Sequence, residues 1–369
     1  MVGIRYGGSI RAGMRQETPD FIALFRAFIG VCAVTICCLF AADLPVQSTP
    51  LQPLASSKVI VVHDPQAFAG YNPNPAAIRS MFEGGLTALT EKKDAVSAVR
   101  AFVNTNDIVG IKVFSGPGQL TGTRPSVVRA LVEQLISAGV PSTNIVIWDR
   151  RMLDLRRAGY IELGEKLHVR VAGSMDEGYD TNVFYSAPFV GKLIWSDVEF
   201  GRTGEGIGRK SYVSKLLTQQ LTKIIQVTPL LNHNVAGVSG NLYGLAIGSI
   251  DNYLRFENPT QMASGVPEIY ALPQVGDKVA LNIVDALLCQ YLGEDEVLLQ
   301  YATLLNELRF STDPVALDVL SLDELEQQRR KHGAPSPKIT RELYENAAVL
   351  DLGKSDAKRI EVLTVAPEK

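Results

Sequence analysis

Three charged or titratable residues stand where apolar runs give way to loops: Lys112 in "VGIKVFSGPGQLTGTRP", Asp149 in "NIVIWDRR" and His233 in "TPLLNHNVAGVSG". A lysine at the end of a buried run is costly unless its charge reaches a mouth or a partner. Thr123 and Arg124 follow a glycine-rich loop and lead into a helix, so with Lys112 they could hold a carboxylate or phosphate, helped by free helix amides. The alternative for Lys112 is an exposed strand end. Asp149 has three readings: a partner for Lys112, a metal ligand, or a helix cap. His233, between Asn232 and Asn234, suits a general acid–base group or a metal ligand. His63, His168 and His332 share no ligand spacing with it. A metal would need carboxylates from other strand ends, such as Asp149 or Asp313. A divalent cation is therefore left open as a cofactor, and the metal ligands are unknown.

A fourth stretch, "RFSTDPVALDVLSLDELEQQ", concentrates two hydroxyls and two carboxylates around Pro314. Pro314 suits the first helical position, and the residue before a proline is pushed out of the helical region, as an N-cap requires. Asp313 is the expected cap of a helix over "VALDVLSLDELEQQRR". Asp318, five residues on, lies roughly 140° around that helix at about 100° per residue, so the two carboxylates do not form a dyad. The run reads as a cap alone, or as a cap that also turns Ser311, Thr312 and free amides toward a ligand. "GRTGEGIGRKS", Gly201–Ser211, follows an expected strand and precedes an expected helix, but its spacing matches neither a Walker loop nor a dinucleotide fingerprint. A flexible loop is the plain reading, with Arg209 and Lys210 as an anion anchor beside it.

The elements that position these residues follow from periodicity. Ser57–Asp64, Asp107–Phe114 and Asn144–Asp149 read as strands. Asn74-Pro75 reads as a helix start, and Ser126–Val140 as the clearest amphipathic helix, closed by Gly139. Strand, loop, helix and strand at this spacing make a βαβ unit, and continuous apolar strands imply a sheet covered on both faces. Further strands are expected at "LHVRVAG" and "KLIWSDVEF". "SYVSKLLTQQLTKIIQVTPLL" should begin helical and end as a strand. "KVALNIVDALLCQY" should begin as a strand and turn helical near Asp285. The expected fold is α/β: a mostly parallel sheet with helices on both faces in one large domain, residues 57–369, with Tyr243–Gln274 as a long excursion.

Residues 1–42 differ from the rest. Arg5, Arg11, Arg15 and Arg26 precede the uncharged run Ala27–Ala42, and a Pro/Ser-rich spacer, 43–56, follows. The basic start, the apolar run and the small residues at its end read as an export signal, with an uncleaved signal-anchor or a buried core helix as alternatives, and the run falls short of the roughly 20 residues of a membrane span. A periplasmic or extracytoplasmic place, or membrane anchoring, is expected, with membrane contact only through residues 21–42. The formal net charge of −3 leaves no basic surplus for phosphates and disfavours a nucleic-acid partner. Three of the four cysteines lie in the apolar run, leaving Cys289, which cannot hold an iron–sulfur cluster alone.

"VGIKV", "TRPSVVRALVEQLISAGVPSTNIVIWDR", "NHNVAGVS", "LNIVDALLCQYLGE" and "FSTDPVALD" occur in the order seen in one family. Over roughly Val109 to Leu363 the chain resembles the domain-of-unknown-function family 362 (DUF362). Several members are exported, and others carry an iron–sulfur module that one cysteine excludes here. Related sequences carry polar residues near Phe114, Leu231, Tyr243-Gly244 and Arg255-Phe256, where this chain has lost them. The resemblance implies no established reaction. Two functions follow as expectations. One is a metal-assisted or degenerate enzyme that holds a small anion at the strand carboxyl ends, with Lys112, Thr123 and Arg124 as anchor, His233 as acid or base, and Asp149 and Asp313 orienting it. The other is a non-catalytic binding or envelope protein outside the cytoplasm.

Overall fold

The computed structural model describes residues 56–367. The expected signal segment 1–42 and nearly all of the spacer lie outside the described residues. Eight strands form the spine of one sheet: β1 (Ser57–His63), β2 (Val109–Val113), β3 (Ile145–Asp149), β4 (Arg170–Gly173), β7 (Lys223–His233), β8 (Val279–Gln290), β9 (Ala302–Ser311) and β10 (Ile360–Val365). Their spatial order is β10-β1-β9-β8-β7-β2-β3-β4. The short strand Gly237–Val238 folds back on the end of β7 as a ninth member. A separate hairpin pairs β5 (Tyr179–Ser186) with β6 (Lys210–Ser214). Strands β8, β7, β2, β3 and β4 run parallel, and β9 runs against its neighbours β8 and β1.

Successive strand residues point to opposite faces, and the apolar core divides accordingly. Val59, Val61, Val146 and Trp148 belong to one buried cluster, while Ile60, Val62, Ile145 and Ile147 belong to the other. The second cluster is covered by α1 (Pro75–Thr90) and α2 (Pro125–Ser137), together with Met152–Arg157 and Tyr160–Leu167. The first is covered by α3 (Asn241–Gly248), α4 (Pro259–Tyr270), α5 (Pro314–His332) and α6 (Glu342–Val349). The mostly parallel α/β architecture with helices on both faces is thus present. Helix α1 starts as expected, with the Asn74 side chain accepting from the amides of Ala76 and Ala77 and with Pro75 in the first turn. Gly85 lets that helix press onto β9, since a Cβ there would meet the Phe310 ring at 2.3 Å.

Four local expectations are corrected. Lys192–Phe200 forms no strand; it lies in an irregular segment. Ser211–Ser214 is strand, not helix, so the glycine-rich stretch before it precedes no helix N-terminus. The segment from Val279 stays extended to Gln290 because it is buried between β7 and β9, and a short apolar run cannot by itself separate a buried strand from a helix. The Tyr243–Gln274 region is no excursion: α3 and α4 are core helices. Among the described residues, no helix is long and apolar enough to cross a membrane.

Candidate functional site

The register divides the expected site residues between two edges of the sheet. Lys112, Asp149 and His233 lie at the carboxyl ends of β2, β3 and β7. Ser311 lies opposite Asn282, near the start of β8, whereas Leu231 is level with Gln290 at its end. At about 3.3 Å per residue these edges are on the order of 20 Å apart. Ser311, Thr312 and Asp313 therefore cannot join His233, which corrects the shared-site expectation for Asp313. Asp313 caps α5 by accepting the Ala316 amide at 2.8 Å, and its other oxygen accepts the Lys354 amide at 2.9 Å. Ser311 Oγ donates to the Lys58 carbonyl at 2.7 Å, and the Thr312 carbonyl accepts from Asn282 at 3.3 Å.

At the carboxyl edge, Lys112 is 1% exposed. Its Nζ donates to Asp149 Oδ1 at 2.8 Å and to the Val113 carbonyl at 2.7 Å. Asp149 Oδ2 accepts the Ser115 amide at 2.7 Å and the Ser115 hydroxyl at 2.6 Å. Burial acts to raise the Asp149 pKa, but the Lys112 charge and the Ser115 donors outweigh it and hold the carboxyl below its usual range. The C-terminal end of α3 seals the pair, for a Cβ on Gly248 would sit 2.5 Å from Lys112 Cε. Of the three readings of Asp149, the structure has the Lys112 partner.

Arg124 is occupied in the same way. Its Nη1 donates to Asp285 Oδ1 at 2.7 Å, its backbone amide to Asp285 Oδ2 at 3.1 Å, and its Nη2 to the Leu120 carbonyl at 2.8 Å. Thr123 Oγ1 donates to the Val227 carbonyl at 2.7 Å and accepts the Phe114 amide at 3.0 Å. Of the three residues expected to hold an anion, Thr123 and Arg124 instead fasten the β2–α2 loop to β7 and β8, and Lys112 ties β2 to β3 through Asp149. Asp285 was missed as the partner of Arg124; a single carboxylate inside the apolar run "LNIVDALLCQ" was the one signal, consistent with a buried cation facing it.

His233 belongs to a different pocket. It lines a cavity of about 250 Å³ with Tyr243, Tyr253, Phe256, Glu257 and Glu294. The imidazole Nδ1 accepts the amides of Val235 at 3.2 Å and Ala236 at 3.0 Å. A neutral ring with Nδ1 so engaged carries its proton on Nε2. Burial lowers the His233 pKa, opposed by the nearby Glu294 carboxylate, whose Oε1 lies 4.0 Å from Nδ1. The ring is therefore a neutral Nε2–H donor at pH 7. In this form it has no free lone pair for abstracting a proton. Tyr243 packs on it at 4.2 Å between ring centroids. The Arg150 guanidinium, directly after β3, stacks 3.2 Å from the Tyr253 ring centroid and so fixes the second aromatic wall.

Helix α3 relates the two places. Tyr243, in its first turn, contacts His233, and Gly248, at its end, contacts Lys112, roughly 7.5 Å further along the helix axis. The start of α3 is fixed from α5. Asp318 Oδ1 accepts the Asn241 amide at 2.7 Å and Oδ2 the Leu242 amide at 2.9 Å. Gly240 is required there, because a Cβ would lie 2.2 Å from Asp318 Oδ1. Larger depressions of about 530 and 640 Å³ are lined mainly by charged and polar residues of α1, α2 and 91–101, and none of these groups lines them. Among the described residues no group of three or more His, Cys, Asp and Glu side chains is placed to hold a metal ion.

No protein-family model matches the chain, and no curated protein matches it. A structural-genomics crystal structure of a protein from Thermotoga maritima is similar over 70% of this chain, with 13% identity and a TM-score of 0.39. This chain spans 59% of that protein's length.

Proposed function

We propose that the protein is a non-catalytic binding protein for a small organic cation that also carries a hydrogen-bond acceptor. The carrying observation is the His233 cavity: a neutral Nε2–H donor, three aromatic rings and the Glu257 and Glu294 carboxylates line it, with no lysine or arginine among its lining residues. Aromatic faces and carboxylates attract cations, while the imidazole N–H orients an acceptor. The cations first expected to hold an anion, Lys112 and Arg124, are consumed by Asp149 and Asp285. The reading also takes the chain as exported or membrane-anchored, supported by the arginines ahead of the apolar run Ala27–Ala42. It further takes the chain as a member of the DUF362 class in which the signature residues serve the fold. Binding to the native state at a hundred times Kd should stabilise it by about 2.7 kcal/mol. Thermal-shift titration of the purified protein with small amines and with organic acids is the test. Amines should raise the Tm in wild type and fail to do so in Glu257→Gln. Stabilisation by acids alone, or an amine effect untouched by Glu257→Gln, would count against the reading.

A further inference from the structure

Residues 187–209, between β5 and β6, contain no helix or strand. Loops longer than about 15 residues without secondary structure are uncommon in compact domains and usually functional. This one is firmly held. Asp197 accepts the amides of Ile194 at 2.8 Å and Asn252 at 2.9 Å. Glu199 accepts the Gly208 amide at 2.7 Å and the Tyr212 hydroxyl at 3.0 Å. Asp251 accepts the amides of Val198 at 2.8 Å and Tyr212 at 2.6 Å. Beneath the loop, Arg255 lies 4.9 Å from the Phe189 ring.

This scaffold presents large apolar side chains to solvent beside its charged ones. Trp195 is 80% exposed, Val190 59% and Phe200 52%. The charges sort by sign: the loop's buried acids, Asp197 and Glu199, face inward, while Lys192, Arg202 and Arg209 are exposed beside a single exposed acid, Glu205. The loop's formal charges balance at three basic and three acidic, but its solvent face carries three basic residues against one acid, which is complementary to a negative surface. Exposed tryptophan with basic neighbours is the composition that settles at the headgroup level of anionic bilayers.

We propose that the 187–209 loop docks on an anionic phospholipid surface, inserting Trp195 with Val190 and Phe200 while Lys192, Arg202 and Arg209 meet the headgroups. This adds a membrane contact to the one expected from residues 21–42, and it does not depend on the ligand assigned to the His233 cavity. The chain has two tryptophans, and Trp148 is fully buried, so the full-length protein reports on Trp195 without labelling. With vesicles of phosphatidylglycerol and brominated phosphatidylcholine, Trp195 emission should be quenched and blue-shifted. Trp195→Phe should abolish that quenching even where the N-terminal segment still holds the chain on the vesicle. Lys192→Glu with Arg202→Glu should raise the lipid concentration for half-maximal quenching at least tenfold. Equal acrylamide access to Trp195 with and without vesicles would overturn the proposal. So would equal quenching by neutral vesicles, or shielding of Trp195 that grows with protein concentration in the absence of lipid, which would assign the loop to a second copy.

Discussion

The Lys112–Asp149 pair gives the sharpest test of whether the motif residues serve the fold. Lys112→Met removes the cation and leaves a buried carboxylate facing only the two Ser115 donors. Breaking a buried pair from one side costs about 3–5 kcal/mol, a large share of the roughly 5–15 kcal/mol that holds a domain together. At about 2 °C per kcal/mol for a large domain, the Tm should fall by about 6–10 °C. Asp149→Asn keeps an acceptor for Ser115 but leaves the Lys112 charge without its counterion, so it should cost a comparable amount. Met at 112 with Asn at 149 removes both charges, and that double variant should be no less stable than Lys112→Met alone. The two effects must then fail to add by about 2 kcal/mol or more, well beyond the roughly 0.5 kcal/mol expected of independent sites. Urea unfolding of the four proteins measures the cycle. Additive effects, or a cost below about 1 kcal/mol for Lys112→Met, would refute the structural assignment and return Lys112 to the list of ligand-binding candidates.

Gly240→Ala should destabilise by about 1–3 kcal/mol, because the new methyl group drives against Asp318 and releases the first turn of α3; chemical denaturation reads this directly. Asp313→Ala should cost about 1 kcal/mol through the lost α5 cap, and amide exchange should rise at Ala316 and Lys354 together. Burial, with Asp197 and Glu199 nearby, raises the Asp251 pKa to about 7. The folded state then takes up a proton that the unfolded state, near 3.8, releases. This contribution should make stability fall by about 1.4 kcal/mol per pH unit as pH rises from about 4 to 7. Asp251→Asn should flatten that slope, and parallel slopes in the two proteins would contradict it.

The strands that carry the site were legible wherever apolar runs were short and bounded by turn residues, as for β1, β2 and β3. The helix starts at Asn74-Pro75 and Asp313-Pro314 were legible because cap and proline constrain the backbone locally. Asp285 misled, since a lone carboxylate in an apolar run reads equally as a helix start or as a buried partner. Only the tertiary approach of Arg124, 161 positions earlier, decides between them. The cavity wall was hidden for a similar reason. Tyr243, Tyr253 and Phe256 have no periodic signature, and they converge with His233 only because α3 folds back over the end of β7. Lys112 was read as an anion anchor or an exposed strand end; that its charge meets Asp149, one of the three readings of that carboxylate, is a matter of packing, which periodicity does not carry.

Helix α3 meets the cavity near its start and the Lys112–Asp149 pair at its end, and the separation bears on how such a protein could diversify. On the proposed function, substitutions at Tyr253, Phe256 or Glu257 would alter what the cavity accepts while leaving the residues of the Lys112–Asp149 and Arg124–Asp285 pairs unchanged. On the same reading, a lineage built on this plan could exchange ligands at little risk to folding. On that reading, two proteins that share both ion pairs need not share a ligand, because the residues that would choose it lie elsewhere.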